Sequence, residues 1–344
     1  MSDNTLLSIC IPTYNFGATI GETLDSLISQ NLENVEIIIL DGGSNDNTFQ
    51  VVENRKSVCS RIIYINQGYK GGIDIDIATA VGYAKGKYCW LFSADDVMKP
   101  NAIDNIIQQL NLDYDIILCE QTICDENLNP VRSHPIFKNI NAPYLFDFNN
   151  ISDKKKYFKN AITTEAFFSY LAGPIFKKNI WDYADKVIPK EFNSTCWGLA
   201  GRLLTFMNNN NNFKIYYLCS SLIKKRAGID SFMDKGIVHR LSITIDGFSF
   251  ISNSIFGSSS FETKHIRRVI RNENFFKLRN LISIKYQLIV SNENLQIPKI
   301  NKVVFNLFKN SGFLNYIQYL LFISLNNKAL RAIKYFKKLN NKNE

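Results

Sequence analysis

Residues 6–41 read LLSICIPTYNFGATIGETLDSLISQNLENVEIIILD, and this stretch decides the fold. Leu6 to Ile11 is an apolar run, with Ser8 its one polar residue, ended by Pro12, and Val35 to Leu40 is a second, with Glu36 its one polar residue. Short continuous apolar runs of this kind belong to strands covered on both faces, as in a parallel sheet. Between them, Ile20, Leu24, Leu27 and Ile28 recur at the spacing of one helix face, which predicts a helix over residues 18–30. Strand, helix, strand in that order is a parallel crossover unit.

The same alternation continues outward. Residues 47–56 read as a helix, 61–65 as a strand, 76–85 as a helix stopped by Gly86, 88–92 as a strand and 102–110 as a helix. An apolar strand over 115–119 follows. The expected fold is α/β, a Rossmann-like, mostly parallel sheet flanked by helices and built from right-handed crossovers. After Asp125 the pattern loosens, with Pro130, Pro135 and Pro143 interrupting it and Asn208 to Asn212 forming a polar loop. From Arg240 the sequence is helical in character. The reading gives one domain over 1–240, with halves 1–125 and 126–240, followed by a basic helical extension over 241–344.

Composition limits what the protein can be. With 344 residues, 46% of them hydrophobic and 21% charged, the chain suits a globular core and excludes disordered, collagen-like and disulfide-scaffold classes. The net charge of +9 is uneven: residues 261–344 hold 16 Lys/Arg against 4 Asp/Glu, so the rest of the chain is slightly acidic. Arg267, Arg268, Arg271, Lys277 and Arg279 beside apolar residues suit either an anionic membrane surface or a helix packed on its own protein with solvated lysines outside. No nucleic-acid-binding module accompanies this charge, so nucleic acid is not expected as a partner. The seven cysteines show no C-x-x-C spacing and lie mostly in apolar runs, which suggests reduced, buried thiols in a cytoplasmic protein. Asp3 and Asn4 precede the first apolar stretch, unlike a secretory leader, and the run from Phe313 to Leu325 is too short to span a bilayer.

Ligands of open α/β sheets sit beyond the carboxyl ends of the strands, so the polar residues directly after each strand carry the functional signal. They are Pro12-Thr13-Tyr14-Asn15, Asp41-Gly42-Gly43-Ser44-Asn45-Asp46 and Ser93-Ala94-Asp95-Asp96. Asp41 can accept hydrogen bonds from a base or ribose, or can cap the following helix. Asp95 and Asp96 repel each other unless something positive lies between them, and Mg2+ or Mn2+ bridging phosphate oxygens meets that need. One ligand plus one helix cap is the alternative.

These three motifs together resemble the GT-A glycosyltransferases of family 2, over about Leu6 to Leu118. Gly72-Ile73-Asp74-Ile75-Asp76 and Lys87-Tyr88-Cys89-Trp90-Leu91-Phe92 are similar to bacterial abequosyltransferase-like O-antigen enzymes. The resemblance implies transfer of a sugar, with inversion, from a nucleotide-sugar donor to a lipid-linked saccharide on the cytoplasmic face of the inner membrane. It further implies a donor site drawn from Pro12, Thr13, Tyr14, Asn15, Asp41, Gly43, Asp74, Ser93, Ala94, Asp95 and Arg226, with Asp95 and Asp96 at a metal. Ser93 stands where the first Asp of the family's DXD motif is usual. The diphosphate is then met by the metal or by Lys224, Lys225 or Arg226. The family's Glu-Asp pair, which often supplies the base, is absent from Ser194-Thr195-Cys196-Trp197-Gly198-Leu199. Glu191 is the candidate base, with Glu165, Asp182 and Asp230 as rivals. Trp181 and Trp197 can stack on a sugar or simply fill the core. A nucleotidyltransferase and a non-catalytic scaffold are the competing functions. The first is disfavoured by a first loop without Lys or Arg.

Overall fold

The computed structural model describes residues 5–309 and 312–325. The chain forms two compact units, Met1–Ile229 and Asp230–Glu344.

In the first unit the strands and helices follow in the order β1 (Leu7–Thr13), α1 (Ile20–Ile28), β2 (Val35–Asp41), α2 (Thr48–Lys56), β3 (Ile62–Asn66), α3 (Ile73–Tyr83), β4 (Tyr88–Leu91), β5 (Val97–Met98) and α4 (Ala102–Leu110). They continue with β6 (Ile116–Cys124), β7 (Pro130–His134), β8 (Tyr144–Asp147), α5 (Ile151–Asn160), β9 (Pro174–Lys177), α6 (Lys178–Val187), α7 (Gly198–Asn209) and β10 (Lys214–Lys225). One sheet runs β3-β2-β1-β4-β9-β6-β10-β5, with β7 added to β6 and β8 to β10. Strands β1 to β4 are mutually parallel where they pair. Every residue of β2 is buried, as the apolar run required. Leu24 and Leu27 of α1 and Ile103 and Ile106 of α4 pack into the same core as Trp90 and Phe92.

Three boundaries differ from the sequence reading, each for a local reason. β1 runs through Pro12 to Thr13. Its pairing with β4 ends at Cys10, so the N–H that Pro12 lacks would have faced a side where the ladder has stopped. α3 starts at Ile73, placing Asp74 and Asp76 in its first turn, where carboxylates favour the helix dipole. β6 extends to Cys124, because its second half gains β7 and β10 as partners.

The larger departure is β9. The strand after α4 does not lie beside β4; β9 enters between them, antiparallel to both β4 and β6. Trp90 Nε1 donates to the Ala172 carbonyl at 2.8 Å and fastens β4 to the segment leading into β9. Since β9 is antiparallel to both neighbours, β4 and β6 point the same way. The second half of β6 therefore reaches the edge where β1, β2 and β4 end.

The second unit is helical: α8 (Ile237–Ser242), a π-helical turn over Ile243–Gly247, α9 (Phe248–Phe256), α10 (Phe261–Asn272), α11 (Leu278–Val290), α12 (Ile297–Phe308) and α13 (Phe313–Ser324). It begins at Asp230, before the division expected after residue 240, which falls inside α8. Among the described residues no helix is long and apolar enough to cross a membrane. Residues 326–344 of the basic extension lie outside the described residues.

Candidate active site

Thr13, Asp41 and Asn66 close β1, β2 and β3 in one register row, so the loops after these strands open on a common edge. The first two loops are stapled together. Asn15 N–H donates to Ser44 Oγ at 2.8 Å, Asn45 N–H to Asn15 Oδ1 at 2.9 Å and Gly17 N–H to Asp46 Oδ2 at 2.9 Å. Gly43 has φ +79°, and a Cβ there would lie 3.0 Å from the Gly68 carbonyl carbon, so the turn requires glycine. Asp41 is buried with both oxygens engaged: Oδ1 accepts from Ser44 N–H at 2.7 Å and Oδ2 from the Tyr64 hydroxyl at 2.7 Å. Its carboxylate ties its own loop to β3 and does not cap α2, whose Thr48 N–H donates to Asp46 Oδ1 at 2.9 Å. Beside it, Thr13 Oγ1 and Gln67 Oε1 are buried without a hydrogen-bond partner among the described residues, which is rare for buried polar atoms.

The loop Ser93–Asp96 is clamped from two directions. Thr19 and Thr23 of α1 donate through their hydroxyls to the carbonyls of Ala94 (3.0 Å) and Asp96 (2.8 Å). From the end of β10, Arg226 Nε donates to the Asp95 carbonyl at 2.9 Å. Its other guanidinium nitrogens bind the Glu126 carbonyl at 2.6 Å and the Glu22 carboxylate. Arg226, expected at the donor diphosphate, is spent instead on holding this loop.

Clamping separates the two acids. Asp96 Oδ2 accepts from the Tyr170 hydroxyl at 2.6 Å and Oδ1 from Arg226 N–H at 2.9 Å. Each oxygen gives a lone pair to a protein donor, so the carboxylate expected at the metal is engaged with Tyr170 and Arg226. Burial, reinforced by the Asp95 charge, pushes its pKa up to about 6. Among the described residues the one side-chain donor to Asp95 is the Ser93 hydroxyl, on Oδ1; its own backbone N–H also favours the charged carboxylate, and no other described residue donates to Oδ2. Burial raises its pKa too. Lys225, at the end of β10, holds its ammonium 4.7 Å from the Tyr170 ring centroid and makes no ion pair among the described residues.

Other candidates fall elsewhere. Asp74 is buried in the first turn of α3, where its oxygens accept the N–H groups of Cys196 and Gly198, each at 2.8 Å. It caps α7 from outside and is closed to a nucleobase. Gly198 is needed there, because a Cβ would stand 3.0 Å from Asp74 Oδ1. Glu191 is exposed on the 3-10 helix Lys190–Ser194, and no partner orients its carboxylate among the described residues. Trp181 is buried between Phe176 (5.5 Å, stacked) and Arg202 (4.5 Å), and Trp197 is buried as well, so both belong to the core. The sequence reading missed Tyr170, whose only local context is Ser169-Tyr170-Leu171, and it weighed Glu165 without the partners described below.

Among the described residues no group of three or more His, Cys, Asp or Glu can hold a metal ion. Asp95 supplies a single open carboxylate oxygen. That fits a Mg2+ or Mn2+ held by one protein ligand and completed by phosphate oxygens and water, a coordination common for these hard ions.

A mostly parallel sheet with an anchored acidic loop at its carboxyl edge defines the GT-A class of nucleotide-sugar enzymes. Solved structures agree on the fold. S. aureus TarS 1–349, solved with UDP-GlcNAc, superposes with a TM-score of 0.64 at 14% identity, over 97% of this chain and 92% of that one. The mannosyltransferase PcManGT of Pyrobaculum calidifontis, solved with GDP-Man and Mn2+, gives 0.50 at 11% identity, over 94% and 84%. In sequence, residues 8–176 match glycosyl transferase family 2. Abequosyltransferase RfbV of Salmonella typhimurium is 30% identical over 261 residues, 74% of this chain and 76% of its own length. The GalNAc(5)-diNAcBac-PP-undecaprenol beta-1,3-glucosyltransferase of Campylobacter jejuni is 27% identical over 212 residues, 61% of this chain and 62% of its own. The chain belongs to glycosyltransferase family 2 and is a nucleotide-sugar-dependent glycosyltransferase. The nucleotidyltransferase and scaffold alternatives fall away.

Proposed function

We propose that this enzyme transfers a sugar, with inversion, from a nucleoside-diphosphate donor to a lipid-linked saccharide in the assembly of a bacterial surface polysaccharide. The observation that carries this reading is the open Oδ2 of Asp95 on a loop locked by Thr19, Thr23 and Arg226. The nucleoside lies against Pro12, Thr13, Tyr14, Asn15 and Gly43, where the unpaired Thr13 Oγ1 and Gln67 Oε1 wait for partners. Asp95 is the residue that holds Mg2+ or Mn2+, and such an ion supplies positive charge beside the diphosphate. Lys225 adds a second, metal-free cation for the leaving group, in place of Arg226. The rigid loop keeps these charges in place before the bond breaks, so little reorganisation is needed during reaction.

The acceptor reading takes support from the Campylobacter relative, whose name states a polyprenyl-diphosphate saccharide. Contact with the cytoplasmic face of the inner membrane is assigned to the helical unit. There Phe313 and Leu314 are 78% and 77% exposed on α13, in a region rich in Lys and Arg.

A thermal-shift screen of UDP, GDP and CDP with Mn2+ tests the donor site, since a ligand that binds only the native state raises Tm. At least one nucleotide is expected to raise Tm, and Asp95→Asn is expected to abolish the rise while leaving the unliganded Tm within a few degrees of wild type. A rise that persists in the folded variant removes Asp95 from the site.

A further inference from the structure

Transfer to a hydroxyl needs a group that takes its proton, and the start of α7 provides no carboxylate. Cys196-Trp197-Gly198 stands there, with Asp74 already bound to its amides. Glu191 is exposed and unoriented. A different titratable pair lies on the second half of β6. Gln121 faces His134 of β7 across the ladder. Buried Glu165, from the 3-10 helix Thr164–Phe167, accepts from Gln121 Nε2 at 2.6 Å through Oε1, and from Thr163 Oγ1 at 3.0 Å and His134 Nε2 through Oε2.

The tautomer follows from the partners. Arg132 can only donate, and its Nη1 lies 3.1 Å from His134 Nδ1, so the ring carries its hydrogen on Nε2 toward Glu165 and its lone pair on Nδ1. The His134 side chain keeps 16% of its surface open. Register places the pair near the acidic loop. Ile223, Gln121 and His134 form one row, and Lys225, Ile123 and Arg132 lie two residues further along on the same face. Lys225 leans on Tyr170, whose hydroxyl holds Asp96. Its charge acts on Asp95, Asp96 and Glu165 alike.

We propose that His134, held by Glu165, is the base that deprotonates the acceptor hydroxyl; this rests on the transferase reading above and adds the missing proton acceptor to it. The acceptor hydroxyl takes the place of the exposed Arg132 guanidinium at His134 Nδ1, and its proton passes to that nitrogen. The oxygen forms its bond to the anomeric carbon, and the bond from that carbon to the diphosphate breaks, its electron pair leaving with the nucleoside diphosphate. The imidazolium is then stabilised by the Glu165 carboxylate. The charged groups in contact with the ring are Glu165 at Nε2 and Arg132 at Nδ1.

The test uses the full chain, the nucleotide sugars of whichever nucleotide raises Tm, and polyprenyl-diphosphate saccharides extracted from bacterial membranes as acceptor. His134→Gln keeps a donor for Glu165 but cannot take a proton at neutral pH. It is expected to lower acceptor-dependent nucleotide release about 100-fold or more and to leave the nucleotide-induced rise in Tm intact. Turnover of His134→Gln within threefold of wild type overturns the proposal. If wild type releases no nucleotide with these acceptors, the acceptor reading fails. The pair is then judged by nitrogen NMR of the three histidines (His134, His239 and His265). An unprotonated Nδ1 on His134 at neutral pH supports the proposal, and a protonated one refutes it.

Discussion

Asp95 and Asp96 are neighbours of the same chemistry, and the structure gives them opposite duties. Removing the Asp96 carboxylate strands the Tyr170 hydroxyl and the Arg226 amide in a buried setting, whereas Asp95 holds only the Ser93 hydroxyl. A buried donor left unpaired costs about 1–3 kcal/mol. Asp96→Ala is therefore expected to lower stability by about 2–4 kcal/mol in urea unfolding, while Asp95→Ala stays within about 1 kcal/mol of wild type. Equal losses for both would show that Asp96 is not the structural member. The acidic pair was legible in the sequence as a functional signal because two carboxylates after an apolar strand need compensation. Which of them faces the ligand was not, because the deciding partner, Tyr170, reaches Asp96 only through the insertion of β9. Arg226 illustrates the same limit: the family resemblance offered it, with Lys224 and Lys225, for the diphosphate, and only the fold brings Glu22 and Glu126 within reach.

Elements lend one another the groups that their own sequences lack. α7 begins with Trp197 and Gly198 and has no side-chain cap of its own. Asp74 of α3 supplies it by accepting two N–H groups that would otherwise be orphaned. Asp74→Ala is expected to cost about 1–3 kcal/mol, comparable to a strong N-cap and its buried amides, and to lower Tm without changing the nucleotide-induced shift. Loss of that shift in a folded Asp74→Ala protein would return Asp74 to the donor site. The strand and helix pattern through α4 was readable because it is set by local apolar spacing, with errors of a few residues at the ends. Strand β9, only four residues of Pro-Ile-Phe-Lys, gives no such pattern. Its place between β4 and β6 is a matter of long-range pairing.

At the scale of the whole molecule, basic charge is concentrated in the helical unit, where Phe313 and Leu314 of α13 are exposed. Each Lys or Arg near an anionic surface contributes about 1 kcal/mol, and each large apolar side chain that leaves water adds about 1.5–3 kcal/mol. The full chain is expected to sediment with phosphatidylglycerol vesicles but not with phosphatidylcholine, and less as salt rises. Phe313→Asp with Leu314→Asp is expected to weaken this partition at least tenfold. Equal binding to both vesicle types would sink the electrostatic part of the membrane reading. Local patterning was enough for the α/β class, the alternation of strands and helices through α4, the acidic loop and the concentration of basic charge. Those features are carried by neighbours along the chain and by spacing within single elements. The tertiary structure alone decided that β9 separates β4 from β6, that Asp95 is open while Asp96 and Asp74 are closed, and that His134 and Glu165 meet. Each of these depends on hydrogen bonds between residues far apart in sequence, and no local pattern encodes their register.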